Sequence, residues 1–310
     1  MSEIKKAKSL TISYLTPVSL ASLNGSDKEA DNISSIKKIS IGAEQYPYLS
    51  SQAVRRALRN QLEVLGWNLS EGAKASIKKG AATTEQKPDI YIDDDLFGYM
   101  GTESGDGAGK GKSTKRTSVV RVCSLISLDP YLGDLDFGTN YMGTKAGGEP
   151  NIFETEIHSG MYRGTILIEL DRVGNGDGFS KELDGTDKSK RVKALLQALK
   201  NLWGSGRQSR FLADLSPKFV SAAFMTTKNP IFLESLSVKD GYLDLDTLKE
   251  IESDYSEEII ESIYGLRKGV FKLKAEENNT DKKKDDDSID LKTVGEAFAE
   301  MDNLVDEYYK

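Results

Sequence analysis

The sequence predicts an α+β fold, and three observations carry that prediction. Two-residue alternation of apolar side chains recurs at 9–20, 119–128, 162–170 and 218–226. Two amphipathic helical stretches, 46–66 and 190–203, fall between these strands. The resulting order of strand, helix, strand, strand, helix, strand is the split β-α-β arrangement of ferredoxin-like or RRM-like domains, here interrupted by polar insertions.

In chain order, Leu10, Ile12 and Tyr14 alternate in the first strand. Residues 22–35 are polar, with Asn24-Gly25 as a turn pair, and Lys37 and Lys38 follow between Ile36 and Ile39. In 46–66, Pro47 holds Tyr46 out of the helical region. Ser50 or Ser51 caps the first turn, and Gly66 suits the left-handed residue that stops it. The stretch 90–100 (IYIDDDLFGYM) lies between polar segments, and the glycine- and lysine-rich 102–118 is expected to be a mobile loop. Val120, Val122, Ile126 and Leu128 share a face of the second strand; Ile166, Ile168 and Leu170 share one of the third. A polar loop at 174–190 precedes the second helix. There Val192, Leu195, Leu196, Leu199, Leu202 and Trp203 keep helical spacing, and Gly204 ends the run. A short strand is expected at 241–245. One helix is expected over 246–266, through Leu248, Ile251, Tyr255, Ile259 and Ile263. A charged linker at 278–288 leads to a last helix over 289–309.

At 310 residues, 38% hydrophobic and 29% charged, the chain can bury a large core. No run approaches the roughly 18 apolar residues of a membrane helix, and the first residues lack a signal-peptide apolar region. The single cysteine, Cys123, leaves no intrachain disulfide, which fits a cytoplasmic protein. The net charge of −7 is unevenly spread. From Glu234 onward there are 22 acids and 11 bases, whereas the first 233 residues hold 27 acids and 31 bases. A polyanion is expected to meet the basic part, not the acidic tail.

Several chemistries are disfavoured. GAGKGKS at 107–113 has Asp106 where a phosphate loop needs glycine, and no apolar strand precedes it. Asp93, Asp94 and Asp95 would suit a hard cation only if their oxygens converged, and adjacent strand residues point apart. They read as a turn that caps or salt-bridges. His158, the only histidine, reads as structural, and one His with one Cys excludes the usual zinc site. No cofactor is expected.

What remains is phosphate binding. At about 100° per residue, Gln52, Arg55, Arg56 and Arg59 fall within one arc of about 100° on the first helix. No acid falls among these four, whereas Val54, Ala57, Leu58, Leu62, Val64 and Leu65 occupy the other half. Solvated helix faces normally mix signs, and arginine offers planar donors to phosphate oxygens. Arg207 and Arg210 lie in a glycine turn after the second helix.

SLNGSDKEADNISSIKKISIG at 22–42, followed by YPYLSSQAVRRALR at 46–59, resembles the N-terminal signature of the CRISPR-associated RAMP family of DevR-like proteins. These are the backbone subunits (Cas seven) of Cascade surveillance complexes, and the match looks closest to subtype I-B. Ser-Ser-Gln-x-x-Arg-Arg-x-x-Arg at 50–59 is its most specific part, and DDDLFGYM at 93–100 resembles the family's Asp-x-x-Phe-Gly element. The resemblance implies a modified RRM-like palm at 1–66 and 161–230 and a large fingers insertion at 67–160. A thumb side with C-terminal helices would occupy 231–310. It implies a subunit that polymerises head-to-tail along the guide RNA spacer and presents its bases to target DNA. Its other partners would be further copies of itself and other Cascade subunits, with no membrane and no catalytic role. RNA contacts would fall to Asn24, Lys37 or Lys38, Ser51, Gln52, Arg55, Arg56 and Arg59. Arg163, Arg207 and Arg210 join them on charge and placement alone. Two other readings stay open. One is a metal-dependent ribonuclease of the type III backbone kind, using Asp27, Asp31 or the three aspartates at 93–95. The other is a DNA-binding autoregulator, although no short-spaced helix-turn-helix is found.

Overall fold

The computed structural model describes residues 2–23, 25, 33–71, 84–102, 113–141, 147–148, 151–204, 209–273 and 289–310. The chain enters through β1 (Ser9–Ala21), β2 (Ile33–Ser34), the hairpin of β3 (Lys38–Ile41) and β4 (Glu44–Leu49), and helix α1 (Ser51–Val64). Helix α2 (Ile92–Phe97) leads into the paired β5 (Tyr99–Thr102) and β6 (Ser113–Arg116). Next come β7 (Val120–Val122), β8 (Leu125–Ser127), β9 (Asp134–Asn140) and β10 (Asn151–Glu169). Helix α3 (Gly185–Lys200) and β11 (Phe219–Met225) follow. Then come β12 (Val238–Lys239), β13 (Tyr242–Leu243), α4 (Asp246–Asp254), β14 (Ile259–Leu266), β15 (Leu291–Lys292) and α5 (Val294–Tyr309).

The architecture is a central sheet with few helices. Among the described residues the main sheet runs β15-β14-β11-β1-β10-β8-β4-β3, and β2, β7 and β9 also pair with β10. β1 sits between β10 and β11, antiparallel to both, so Ile12 faces Ile166 on one side and Ala222 on the other. Alternation along β1 then builds two layers. Leu10, Ile12 and Tyr14 join a core with Leu58 and Leu62 of α1, Leu195 and Leu199 of α3, and Phe298 and Met301 of α5. Leu15 points the other way and joins Phe219, Ala223 and Met225 under Ile231, Phe232, Leu236, Leu248 and Phe271. Burying each such side chain contributes about 1.5–3 kcal/mol. Ser9, Thr11 and Ser13 are also fully buried on this second face. There the Ser13 and Thr165 hydroxyls bond each other at 2.7 Å.

The first helix is as predicted: Ser50 caps it by accepting from the Ala53 N–H at 3.3 Å, and Gly66 has φ +86°. Its apolar face is narrower than expected, because Val64 (76% exposed) and Leu65 lie past the packed part. The stretch 119–128 is two strands. The Thr165 N–H donates to Cys123 Sγ at 2.9 Å, the ladder breaks there, and the buried face switches from Val120 to Leu125 and Ser127. α3 starts inside the expected polar loop, capped by Asp184, and ends before Trp203. The expected helix over 246–266 ends at Asp254. Ile259 and Ile263 instead belong to a strand paired with β11. Four-residue spacing is even, so it fits one face of a strand as well as one face of a helix. The last helix begins at Val294, after β15, on a capping box of Thr293 and Glu296. β10 runs unbroken through residues 160 and 161.

Candidate nucleic-acid interface

Part of the arginine face of α1 is covered by protein. Phe97 at the end of α2 lies under two guanidinium groups. Arg59 stands 4.6 Å and Arg55 5.4 Å from its ring centre. Arg55 also donates to the Phe97 carbonyl, and Arg59 Nε donates to Asp93 at 3.3 Å. Burial, then the charge of Arg59, lower the Arg55 pKa. Arg56 and Gln52 are exposed, and Arg56 makes no ion pair among the described residues. Ser51 is half-buried and its hydroxyl donates to Gln52 at 3.2 Å.

The three aspartates are held by protein donors. Asp93 accepts from the Ser70 N–H at 2.9 Å as well as from Arg59. Asp95 is fully buried between Arg116 and Arg191, with Arg191 Nη1 at 2.6 Å. The surplus positive charge of that triad spreads over backbone carbonyls: Arg116 donates to Asn175 at 2.7 Å and Arg191 to Pro88 at 2.6 Å. Asp94 accepts from the Lys87 N–H at 2.9 Å, and burial raises its pKa. The salt-bridging expectation for this stretch therefore holds, on a short helix rather than a strand. Among the described residues no group of His, Cys, Asp and Glu could hold a metal ion.

The other expected contacts are dispersed. Lys37 is half-buried on the approach to β3. Lys38 donates to both Glu156 oxygens at 2.7 Å and lies 4.4 Å over the Tyr131 ring. Arg163 sits on the second face of the sheet, donating to the carbonyls of Glu234 and Leu236, the latter at 3.0 Å. Burial lowers its pKa. Arg210 pairs with Asp136 and lies 4.8 Å over Phe153, so it clamps the β9–β10 ribbon. Asn24, Asp27, Asp31 and Arg207 lie outside the described residues. The structure thus gathers Ser51, Gln52, Arg55, Arg56 and Arg59 on one helix and scatters the rest. Phe97 was the missed member of this site. It lies inside the DDDLFGYM element, where its ring was the available signal.

His158 is structural in its contacts. Its Nε2 is 3.1 Å from Ser127 Oγ, whose own proton goes to the Asp129 carbonyl at 2.7 Å. Ser127 therefore accepts from His158, the reverse of a nucleophile donating to its base. Glu169 takes hydrogen bonds from Arg121, Lys228 and Arg172. Burial alone would raise its pKa, but these three donors outweigh it and hold the carboxyl down at about 2.

No helix among the described residues is long and apolar enough to cross a membrane. Two structures of CRISPR RNA-guided surveillance complexes contain chains of similar fold. One has a TM-score of 0.56 at 16% identity, with 95% of this chain and 98% of that chain covered. The other, from a complex in a pre-nicking state, has a TM-score of 0.57 at 13% identity, with 97% and 100% covered. A CRISPR-associated protein Cas7/Cst2/DevR of Myxococcus xanthus (strain DK1622) is 28% identical over 225 residues, spanning 67% of this chain and 68% of that protein. Residues 12–247 match the family described as CRISPR-associated negative auto-regulator DevR/Csa2. On a match of that extent, which takes in most of β1, the strands β2 to β13, α1 and the aspartate element, the chain belongs to the DevR/Csa2 family of CRISPR-associated proteins.

Proposed function

We propose that this chain is a non-catalytic subunit of a CRISPR surveillance complex that grips guide RNA by its sugar-phosphate backbone. In this reading β11, β1, β10 and β7 with β8 form an RRM-like palm. They have the antiparallel order fourth, first, third, second that a split β-α-β unit requires. The observation that carries the reading is the burial of this sheet on both faces. Bases cannot stack on it as on an open RRM sheet, so RNA is held along helices, loops and edges, through phosphates. The exposed Arg56 and Gln52 are the best-placed donors on α1. The bases then stay free to pair with target DNA, and further copies follow head-to-tail along the guide. Family membership and the likeness to chains of surveillance complexes support this assignment.

The ribonuclease reading finds no support at 93–95, where Asp93 and Asp95 already serve protein donors. Co-expression with and without a guide RNA, followed by sizing at low salt, tests the proposal. RNA-bound oligomers that release RNA steeply with rising salt are expected. Protein that stays monomeric and free of nucleic acid overturns it. Incubation with paired RNA and magnesium tests the non-catalytic part, and cleavage would refute it.

A further inference from the structure

We propose that a groove between the end of α3 and Arg267 takes one nucleotide of single-stranded RNA, its base against Trp203 and its phosphate against Arg267. This rests on the RNA-binding reading above and adds a site that α1 does not provide.

Trp203 was expected to complete the apolar face of a helix, yet it is 47% exposed. Its backbone is fixed all the same. Leu202 beside it is fully buried and accepts from the Leu215 N–H at 3.1 Å, and Trp203 bridges to Asp214. A rigid backbone therefore presents a large aromatic face to solvent. In front of it lies a groove of about 600 Å³, lined among others by Lys200, Trp203, Leu212, Asp214, Arg267 and Gly295. That volume is within the range of small-ligand sites.

The charges favour an anion. Arg267 is exposed, and its guanidinium makes no hydrogen bond or ion pair among the described residues. Its backbone N–H is anchored on the Lys218 carbonyl at 2.8 Å. Asp214, the one acid among the described lining residues, is already paired with Lys218 at 2.6 Å and accepts from the Ser216 N–H at 2.9 Å. Lys200, within electrostatic reach of Asp302, adds a second cation. An exposed indole and an unengaged guanidinium lining one groove offer stacking and a planar phosphate donor together, the pairing that single-stranded nucleic acid uses. Most arginines of the expected interface have those capacities occupied: Arg55 and Arg59 by Phe97, Arg210 by Asp136. Arg267 escapes a sequence reading based on net charge because it stands in the acidic tail.

The test uses the Trp67→Phe variant, in which Trp203 is the sole tryptophan. Titration with a ten-nucleotide oligoadenylate should quench its emission. Trp203→Ala and Arg267→Glu, made in the wild-type chain, should each weaken oligoadenylate binding by roughly 5- to 100-fold, and Trp203→Phe should retain it. AMP titrated alone separates the sources: quenching by the oligomer only assigns the site to RNA, and equal quenching by AMP assigns it to a free nucleotide. Undiminished oligomer binding in both Trp203→Ala and Arg267→Glu overturns this inference while leaving the RNA-binding reading in place. No oligomer binding by the wild-type chain removes both. A shift of Trp203 emission with protein concentration alone, without RNA, would make the groove a protein contact and also overturn it.

Discussion

Arg59 lies against Phe97, its guanidinium carbon 4.6 Å from the ring centre, with Asp93 holding its Nε at 3.3 Å. α1 and α2 are joined through this contact. The arginines that mark the helix in the sequence are therefore divided between holding the fold and facing outward.

That division predicts different outcomes for neighbouring arginines. Arg56→Glu should leave the melting temperature unchanged and weaken guide-RNA retention, with the log–log salt slope reduced by about 1. Arg55→Glu should lower the melting temperature, because its guanidinium is half-buried over Phe97 and bonded to a carbonyl. Thermal unfolding and RNA retention measured on both variants check this. Equal loss of RNA at equal stability would contradict it.

The Asp95 triad makes a stability prediction. Asp95→Asn leaves Arg116 and Arg191 buried without a counter-charge. Breaking a buried pair in this way costs about 3–5 kcal/mol. Urea unfolding reads the effect directly, and a midpoint unchanged from wild type would show that the carbonyls alone suffice.

Leu58 is fully buried against the sheet. Leu58→Ala should cost about 2–5 kcal/mol through lost burial and the cavity left behind. Leu62→Ala, one turn along the same face, should behave alike by denaturant unfolding. Val64→Ala should not, since Val64 is 76% exposed.

His158 predicts a pH dependence. Burial lowers its pKa, and the facing charges of Asp129 and Asp134 only partly oppose this. Tyr131, Tyr162 and Ser127 complete its surroundings. The unfolded chain therefore binds the proton more readily. The neutral imidazole's contribution is fully present above about pH 6.5 and is lost as pH falls through the lower folded value. His158→Gln should flatten the stability profile between pH 7 and about pH 5, as read by urea midpoints. Parallel profiles for both proteins would contradict this.

How much of this was legible follows from which forces act locally. The first helix, its cap and its glycine stop were readable because Ser50, Pro47 and Gly66 act on their own neighbourhood. β1, the later half of β10 and β11 were readable because alternation reflects burial on opposite faces. β14 was misread because Ile259 and Ile263 satisfy both periods, and only the hydrogen-bonding edge of β11, far away in sequence, decides between them. The site was half legible. The run of arginines is visible in the sequence, but what Asp93 and Phe97 do to it is not, because they arrive from more than thirty residues away. β10 was seen only in part because its first residues, where Ile152 and Phe153 are adjacent rather than alternating, take their strand form from pairing with β9.

β10 also acts as a beam. Its 19 residues have a contour of about 60 Å, longer than the roughly 50 Å across a compact globule of this chain length. One end is locked between β1 and β7, and the other pairs with β9, where Arg210 and Lys38 brace it from either side. Force applied to the ribbon passes along β10, continuously hydrogen-bonded to its neighbours, into the middle of the sheet.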